Sequence, residues 1–272
     1  MKRILGVAAA SLLLACLDAG ELPAQSQGQV YLQVALMKVA PGQTDTYVAL
    51  EQELWKPVHQ ARVDAGKIVG WYLYRVLSPS GTEVHHNYAV VNVFDGFEAM
   101  QNSYPEGVWE QVHPGVNMDD VLRRTVAARK GVRGETWRSV DATQPPLSTP
   151  SPYLMIDYMK VKPGDGAEYV GIEQEVWKPM HQAVVDNGDK TSWALYALVF
   201  PWGSSLEYNY ATVNAFNEYG DMDMSGFDFA TLFESTHPGK DPVEMGRMTQ
   251  EVRDLVRGEV WHLIDYVQAP TE

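Results

Sequence analysis

The hydrophobic pattern changes period several times along the chain, and it does so twice in the same order. Val30 to Lys38 (VYLQVALMK) is β-rich and apolar at both alternating sets of positions, which predicts a strand covered on both faces, and Pro41-Gly42 then turns the chain. From Tyr47 the period becomes helical. Tyr47, Leu50, Leu54, Val58, Ala61 and Ala65 follow the three-and-four spacing of one buried stripe. Pro57 falls inside that stripe, so a kink or break is expected near Lys56, worth about 3 kcal/mol in an otherwise regular helix. Ile68 to Leu77 and His86 to Phe94 return to strand character around a turn at Ser78 to Gly81. A helical stretch from Phe97, an irregular segment ending in His113-Pro114-Gly115, a helix from about Asp119 to Lys130 and a strand from Glu135 to Val140 complete the set.

The second set is a copy of the first. EQELWKPVHQA, Glu51 to Ala61, returns as EQEVWKPMHQA, Glu173 to Ala183, at an offset of 122 residues. Between Lys38 to Asp95 and Lys160 to Asn217 there are 29 identities in 58 aligned positions, too many for chance. By His113 and His237 the offset is 124, which places two extra residues within GDMDMSGFDF. Asp141 to Pro152 (DATQPPLSTPSP) is a proline-rich, extended linker. The expected organisation is therefore a first repeat over 30–141, a linker over 142–152 and a second repeat over 153–267. Strand, helix, strand, strand, helices, strand is the order of the ferredoxin-like split βαβ unit, an α+β fold with helices on one face of an antiparallel sheet. The doubly apolar first strand implies that the partner repeat covers the other face. Two tandem βαββαβ repeats packed sheet to sheet about a pseudo-twofold axis, as an intramolecular pseudo-dimer, are the expected architecture, with the single chain as the closed unit.

Composition adds compartment and partners. With 45% hydrophobic and 11% aromatic residues the chain is globular, and a net charge of −14 without a basic cluster excludes nucleic acid as a partner. Lys2 and Arg3 precede an apolar run from Ile4 to Leu14 that is short for a membrane span and reads as an export signal, with residues 1–16 as the signal and 17–29 as a tether. Cys16 closes Leu13-Leu14-Ala15-Cys16, which resembles the lipobox of bacterial lipoproteins; lipidation at Cys16 would be the chain's attachment to a membrane. The alternative is a secretory signal cut after Ala24. Both readings export the chain, to the bacterial periplasm, a membrane anchor or the outside. A single cysteine precludes an intrachain disulfide.

The repeat order together with WKPVHQARVDAGKIVGWYLY resembles the dimeric α/β-barrel superfamily in a tandem, exported, NIPSNAP-like form, over roughly residues 30 to 267. That resemblance implies the barrel fold. It leaves function open, because the superfamily includes cofactor-independent monooxygenases, haem-binding and haem-degrading proteins, small-molecule isomerases and members without known activity.

Candidate chemistry lies where both repeats keep polar groups. Glu51, Trp55 and His59 lie at i, i+4 and i+8 beside the buried stripe, and Glu173, Trp177 and His181 repeat them. One reading sends them into a cavity between helix and sheet, with His59 and His181 as bases. The other has His59 bonding the broken helix, Trp55 packing and Glu51 paired with an arginine. His113 and His237 occupy matched turns; two His and one carboxylate suit non-haem iron, but no local motif supports a metal and none is expected. Tyr88 and Asn92 share a strand face, as do Tyr210 and Asn214, and either bind a ligand or bond a neighbouring strand. Glu135 and Trp137, repeated as Glu259 and Trp261 beside Arg129, Arg133, Arg253 and Arg257, suggest rim ion pairs worth about 0 to 1 kcal/mol each.

Haem-degrading members of the resembled superfamily use Asn, Trp and His together. Here the first strand carries Gln33 in one repeat and Met155 in the other, so haem, like any other cofactor, is not expected. Asp221-x-Asp223-x-Ser225-Gly226 opens like a calcium loop but reaches Leu232 at position twelve, and reads as a solvated insertion. Nucleophile elbow, P-loop and dinucleotide fingerprints are missing. The expected function is binding of an apolar or aromatic small molecule, with cofactor-independent oxygenation or proton transfer as the reaction class; the alternative is a non-catalytic envelope scaffold.

Overall fold

Alternation divides every strand between two cores. In the computed structural model, which describes residues 29–270, Leu32, Val34 and Leu36 meet Tyr74, Val76, Ala89, Val91 and Trp137 in one cluster, joined there by Ile156, Tyr158, Ala211 and Trp261 of the second repeat. The opposite set, Met37, Val39, Trp71, Leu73, Tyr88, Val90 and Phe94, packs on Tyr47, Leu50 and Val63 of the helices. The expected signal, tether and lipidation at Cys16 lie outside the described residues. Among the described residues no helix is long and apolar enough to cross a membrane.

The strands are β1 (Val30–Val39), β2 (Gly70–Ser78), β3 (Tyr88–Asp95) and β4 (Arg129–Ala142) in the first repeat, and β5 (Tyr153–Val161), β6 (Ser192–Phe200), β7 (Tyr210–Phe216) and β8 (Arg253–Gln268) in the second. They form one closed antiparallel barrel in the order β1-β3-β2-β8-β5-β7-β6-β4, with β4 returning to β1. Each repeat keeps the ferredoxin-like order, and the repeats meet edge to edge, β2 on β8 and β4 on β6. The sheet-to-sheet packing expected of the repeats takes the form of one sheet closed on itself, the barrel that the resemblance implies. An open edge would leave a row of unpaired backbone groups, and closure removes it. β1 and β5 stand four places apart in the ring and so run the same way. The two barrel ends therefore differ: β1 and β5 begin, and β4 and β8 finish, at the same end.

The helices lie outside the barrel. In α1 (Thr44–Leu50) and α2 (Lys56–Asp64) the sequence predicted one kinked helix; between them Glu51–Trp55 forms a π turn in which the Lys56 N–H bonds the Glu51 carbonyl. Pro57 brings no N–H to the preceding turn, and one extra residue in the turn accommodates that defect without a break. The second repeat does the same at Glu173–Trp177, ahead of Pro179. The helix predicted from Asp119 to Lys130 spans Met118–Ala128, capped by the Asn117 side chain, and passes into β4 without a loop. The Asp221 insertion forms two short 3-10 turns, with Asp223 accepting from the Ser225 N–H, so its carboxylates serve the turn itself.

Asn87 fixes the start of β3 to the end of β1: Oδ1 accepts from the Val39 N–H at 2.8 Å and Nδ2 donates to the Val39 carbonyl at 2.9 Å. Asn209 does the same to Val161 at 2.8 and 3.0 Å. Asn87→Ala leaves both backbone groups without these partners, so each of Asn87→Ala and Asn209→Ala should lower stability by about 1–3 kcal/mol, read from urea unfolding with an unchanged slope.

Candidate functional site

Of the sequence-selected residues, Glu51, His59, Tyr88 and Asn92 and their repeats come to the layer between helix and sheet, whereas Trp55, His113, Trp177 and His237 lie between helices. His59 stacks on Trp71 at 4.9 Å with the rings 12° apart, and its Nδ1 lies 2.7 Å from Arg62 Nη1. An arginine can only donate, so Nδ1 accepts and the ring proton sits on Nε2. Arg62 Nη1 also donates to Asn92 Oδ1 at 2.8 Å, which accounts for an asparagine among apolar neighbours. In the second repeat His181 stacks on Trp193, and Lys190 Nζ lies 3.0 Å from His181 Nδ1 and 2.6 Å from Asn214 Oδ1. The two cations are not sequence equivalents. Arg62 aligns with Val184, and Lys190 aligns with Ile68. Burial, then the neighbouring cation, lowers both imidazoles to a pKa of about 3, which makes them neutral and weakly basic near pH 7.

Glu51 and Glu173 are buried, and desolvation raises each carboxyl to about 7 against the opposing pull of Arg129 on the first and of Tyr169 and Arg253 on the second. Trp55 Nε1 donates to Thr125 Oγ1, and Trp177 Nε1 to Thr249 Oγ1, pinning helix to helix. His113 Nε2 donates to the Leu54 carbonyl and His237 Nε2 to the Val176 carbonyl, both at 2.8 Å and both within the π turns. Tyr88 packs edge-on against Tyr47, and Tyr210 against Tyr169. Glu51, His59 and His113 do not converge, and among the described residues no group of three His, Cys, Asp or Glu side chains is placed to hold a metal ion.

None of these residues lines the cavity that the barrel encloses. That cavity measures about 290 Å³ and is walled by aliphatic side chains together with Tyr72, Tyr74, Tyr158, Tyr196, Trp137 and Trp261. Burial raises the phenols, Tyr72 to about 12, so they remain protonated hydrogen-bond donors. Sequence reasoning passed over them, although their signal was present: Tyr72 and Tyr74 alternate with Trp71 and Leu73 along one strand.

Toward the other barrel end the cavity rests on buried charge. Register sets Glu135 opposite Val34, an inward position, and Glu259 opposite Ile156. With 3% and 2% exposure these carboxylates are inside the barrel, which corrects the expected rim ion pairs. Glu135 accepts from Trp137 Nε1 at 3.0 Å and Tyr208 Oη at 2.6 Å and pairs with Arg133 at 2.7 Å. Glu259 accepts from Trp261 Nε1 at 2.8 Å, lies 3.2 Å from His86 Nε2 and pairs with Arg257 at 3.1 Å. Burial pushes Glu259 up, but the His86 and Trp261 hydrogen bonds and the Arg257 charge outweigh it and hold the carboxyl below its ordinary range. His86 and Tyr208 are equivalent positions of the two repeats, so the pair of clusters is built alike and finished differently. Sequence reasoning missed both, because neither residue is repeated.

No family model matches the chain, and no curated protein matches it. Among solved structures the barrel is similar to a "putative monooxygenase" from Fusobacterium nucleatum, with 8% identity and a TM-score of 0.56 over 89% of this chain and 96% of that one. An anthrone oxidase-like protein matches with 10% identity and a TM-score of 0.50 over 89% and 94%. A heme-binding protein from Thermus thermophilus matches with 8% identity and a TM-score of 0.47 over 88% and 92%.

The likeness is thus one of fold, that of a dimeric α/β barrel. The expectation that set haem aside is corrected, since a heme-binding protein is among the structures this chain is similar to. Tyrosine is one of the residue types that hold haem iron, and the cavity wall carries four, each kept protonated by burial, so iron would have to displace a proton there.

The layer's titrations give opposite pH dependences. Glu51 and Glu173 rise from 4.5 to about 7 on folding, so the stability they contribute is complete below about pH 4.5 and lost as pH rises through 7. His59 and His181 fall from 6.5 to about 3, so theirs is complete above pH 6.5 and lost as pH falls toward 3. Relative to the parent, Glu51→Gln/Glu173→Gln should gain stability between pH 4.5 and 7.5, by on the order of 3 kcal/mol per site. Thermal melts across that range check it; a gap that is constant with pH refutes it.

Proposed function

We propose that the chain is a small-molecule binding protein whose apolar or aromatic ligand occupies the central barrel cavity. The observation that carries this reading is the cavity itself: both repeats build it, its wall is apolar, and its polar groups include protonated phenols, the usual balance of a ligand site. Oxygenation is the reaction class that the fold's monooxygenase-named neighbours favour. Export, with attachment at Cys16 or secretion, is part of the same proposal, as is a tandem chain that serves as its own pseudo-dimer. The paired edges of every barrel strand support a monomer, since no open barrel edge is left to recruit a second chain.

A second reading, proton transfer in the helix-to-sheet layer, draws on a specific observation. Among the described residues the buried Trp71 and Trp193 Nε1 atoms have no hydrogen-bond partner, near the histidines that they stack on. In this reading Glu51 and Glu173, titrating near 7, are better matched to carry the proton than His59 and His181 at about 3.

A native mass spectrum of the full chain after gentle purification, followed by titration with the neutral aromatic probe N-phenyl-1-naphthylamine, tests the first reading. Binding should quench Trp137 and Trp261 fluorescence, and Ala211→Leu, which adds bulk to the cavity wall, should weaken it about tenfold or more, the loss of roughly 1.4 kcal/mol. Equal affinity in Ala211→Leu, or no binding by the parent, counts against the cavity. Hemin titration read at the Soret band decides whether haem is a ligand.

A further inference from the structure

We infer that the inter-repeat linker is the roof of the barrel cavity and that Gln268 is its latch, so that this segment decides which ligands enter and how fast they leave. The inference rests on the cavity being a binding site, and its test is chosen to separate the two.

The argument begins with connectivity. β4 finishes at Ala142 and β5 begins at Tyr153, at the same barrel end, yet they are not neighbours: β6 and β7 stand between them in the ring. Residues 143–152 must therefore cross that end. On the way Leu147, Pro150 and Ser151 become part of the cavity wall, beside Val30 and Ser192 at the starts of their strands and Gln268 at the finish of β8.

The crossing is fixed firmly at its two extremities. The Thr143 N–H donates to the Trp193 carbonyl and Thr143 Oγ1 accepts from the Trp193 N–H, and Gln144 is held through both its N–H and its carbonyl by the Gln182 amide. At the far extremity Ser151 Oγ lies 2.6 Å from Thr191 Oγ1, and the Pro152 carbonyl accepts from the Leu263 N–H. Between them the hydrogen bond found among the described residues comes from Gln268, whose Nε2 donates to the Ser148 carbonyl at 2.7 Å. The same amide accepts from Tyr72 Oη at 3.1 Å. Tyr72 is a cavity phenol, so the latch reaches from the ligand space to the roof through one side chain. A ligand carrying an acceptor for the Tyr72 hydroxyl competes with Gln268 for it and loosens the roof that covers it. The class of ligand this favours is compact and apolar with one hydrogen-bond acceptor. Proline at 145, 146 and 150 keeps the roof stiff, so it opens as a strap hinged at its fixed extremities.

The test needs no known ligand. In the full chain with Cys16→Ser, an Ala211→Cys reporter places one thiol on the cavity wall, and its modification by N-ethylmaleimide is followed by intact mass. Adding Gln268→Ala should speed modification about fivefold, the change expected when one hydrogen bond no longer holds the closed form. A Leu73→Cys reporter, buried in the helix-facing core, distinguishes roof opening from general loosening. Faster labelling at Ala211→Cys alone supports the roof; an unchanged rate there, or equal acceleration at Leu73→Cys, overturns it. N-phenyl-1-naphthylamine then separates the readings. If it binds, its dissociation should quicken by the same factor in Gln268→Ala, and an unchanged rate also overturns the inference. If the parent does not bind it while labelling still accelerates, the roof stands and the cavity's role as a site for such ligands fails.

Discussion

Closure of the sheet is the constraint on which the rest depends. A four-stranded ferredoxin-like unit has two open edges and one uncovered face, and neither is tolerable in water for strands as apolar as β1 and β5. Pairing β2 with β8 and β4 with β6 satisfies both edges of both units at once. The same act turns the uncovered faces toward one another and creates an interior. Cavity, buried carboxylates and roof all exist because eight strands close at a circumference that their side chains do not quite fill.

The molecule thereby separates two kinds of polar chemistry. In the outer layer, cations, histidines and asparagines satisfy one another between helix and sheet, and the π turns give their spare carbonyls to His113 and His237. In the inner layer, Glu135 and Glu259 hold the indoles of Trp137 and Trp261, so the cavity's aromatic floor is oriented by charges on its far side. The outer residues were the obvious ones because duplication kept them. What duplication keeps is a requirement of the fold as readily as one of the site, and His59, bonded at Nδ1 by Arg62 and stacked on Trp71, makes the contacts that a structural role needs.

Architecture was legible in the sequence because it is written in periods, and periods survive divergence. The repeat, the strand order and the helix from about Asp119 needed no side-chain detail. The π turn was legible only as trouble at Pro57, since a sequence shows a missing N–H but not how the backbone absorbs it. Burial of Glu135 was not legible: alternation put it on the same face as Trp137, but only register opposite Val34 makes that face the inner one. Arg62 and Lys190 were invisible for a different reason. The charge kept its place between histidine and asparagine while the residue supplying it moved, and an aligned repeat reports such a change as two unrelated losses.

Gln29, whose side chain bonds the Ser139 carbonyl, and Gln268 leave the barrel at the end where the linker crosses. Both directions in which the chain continues therefore flank the roof, and the charged floor points the other way. Immobilised by either terminus, the protein would turn its linker-covered end toward the surface that holds it and its charged floor toward the bulk.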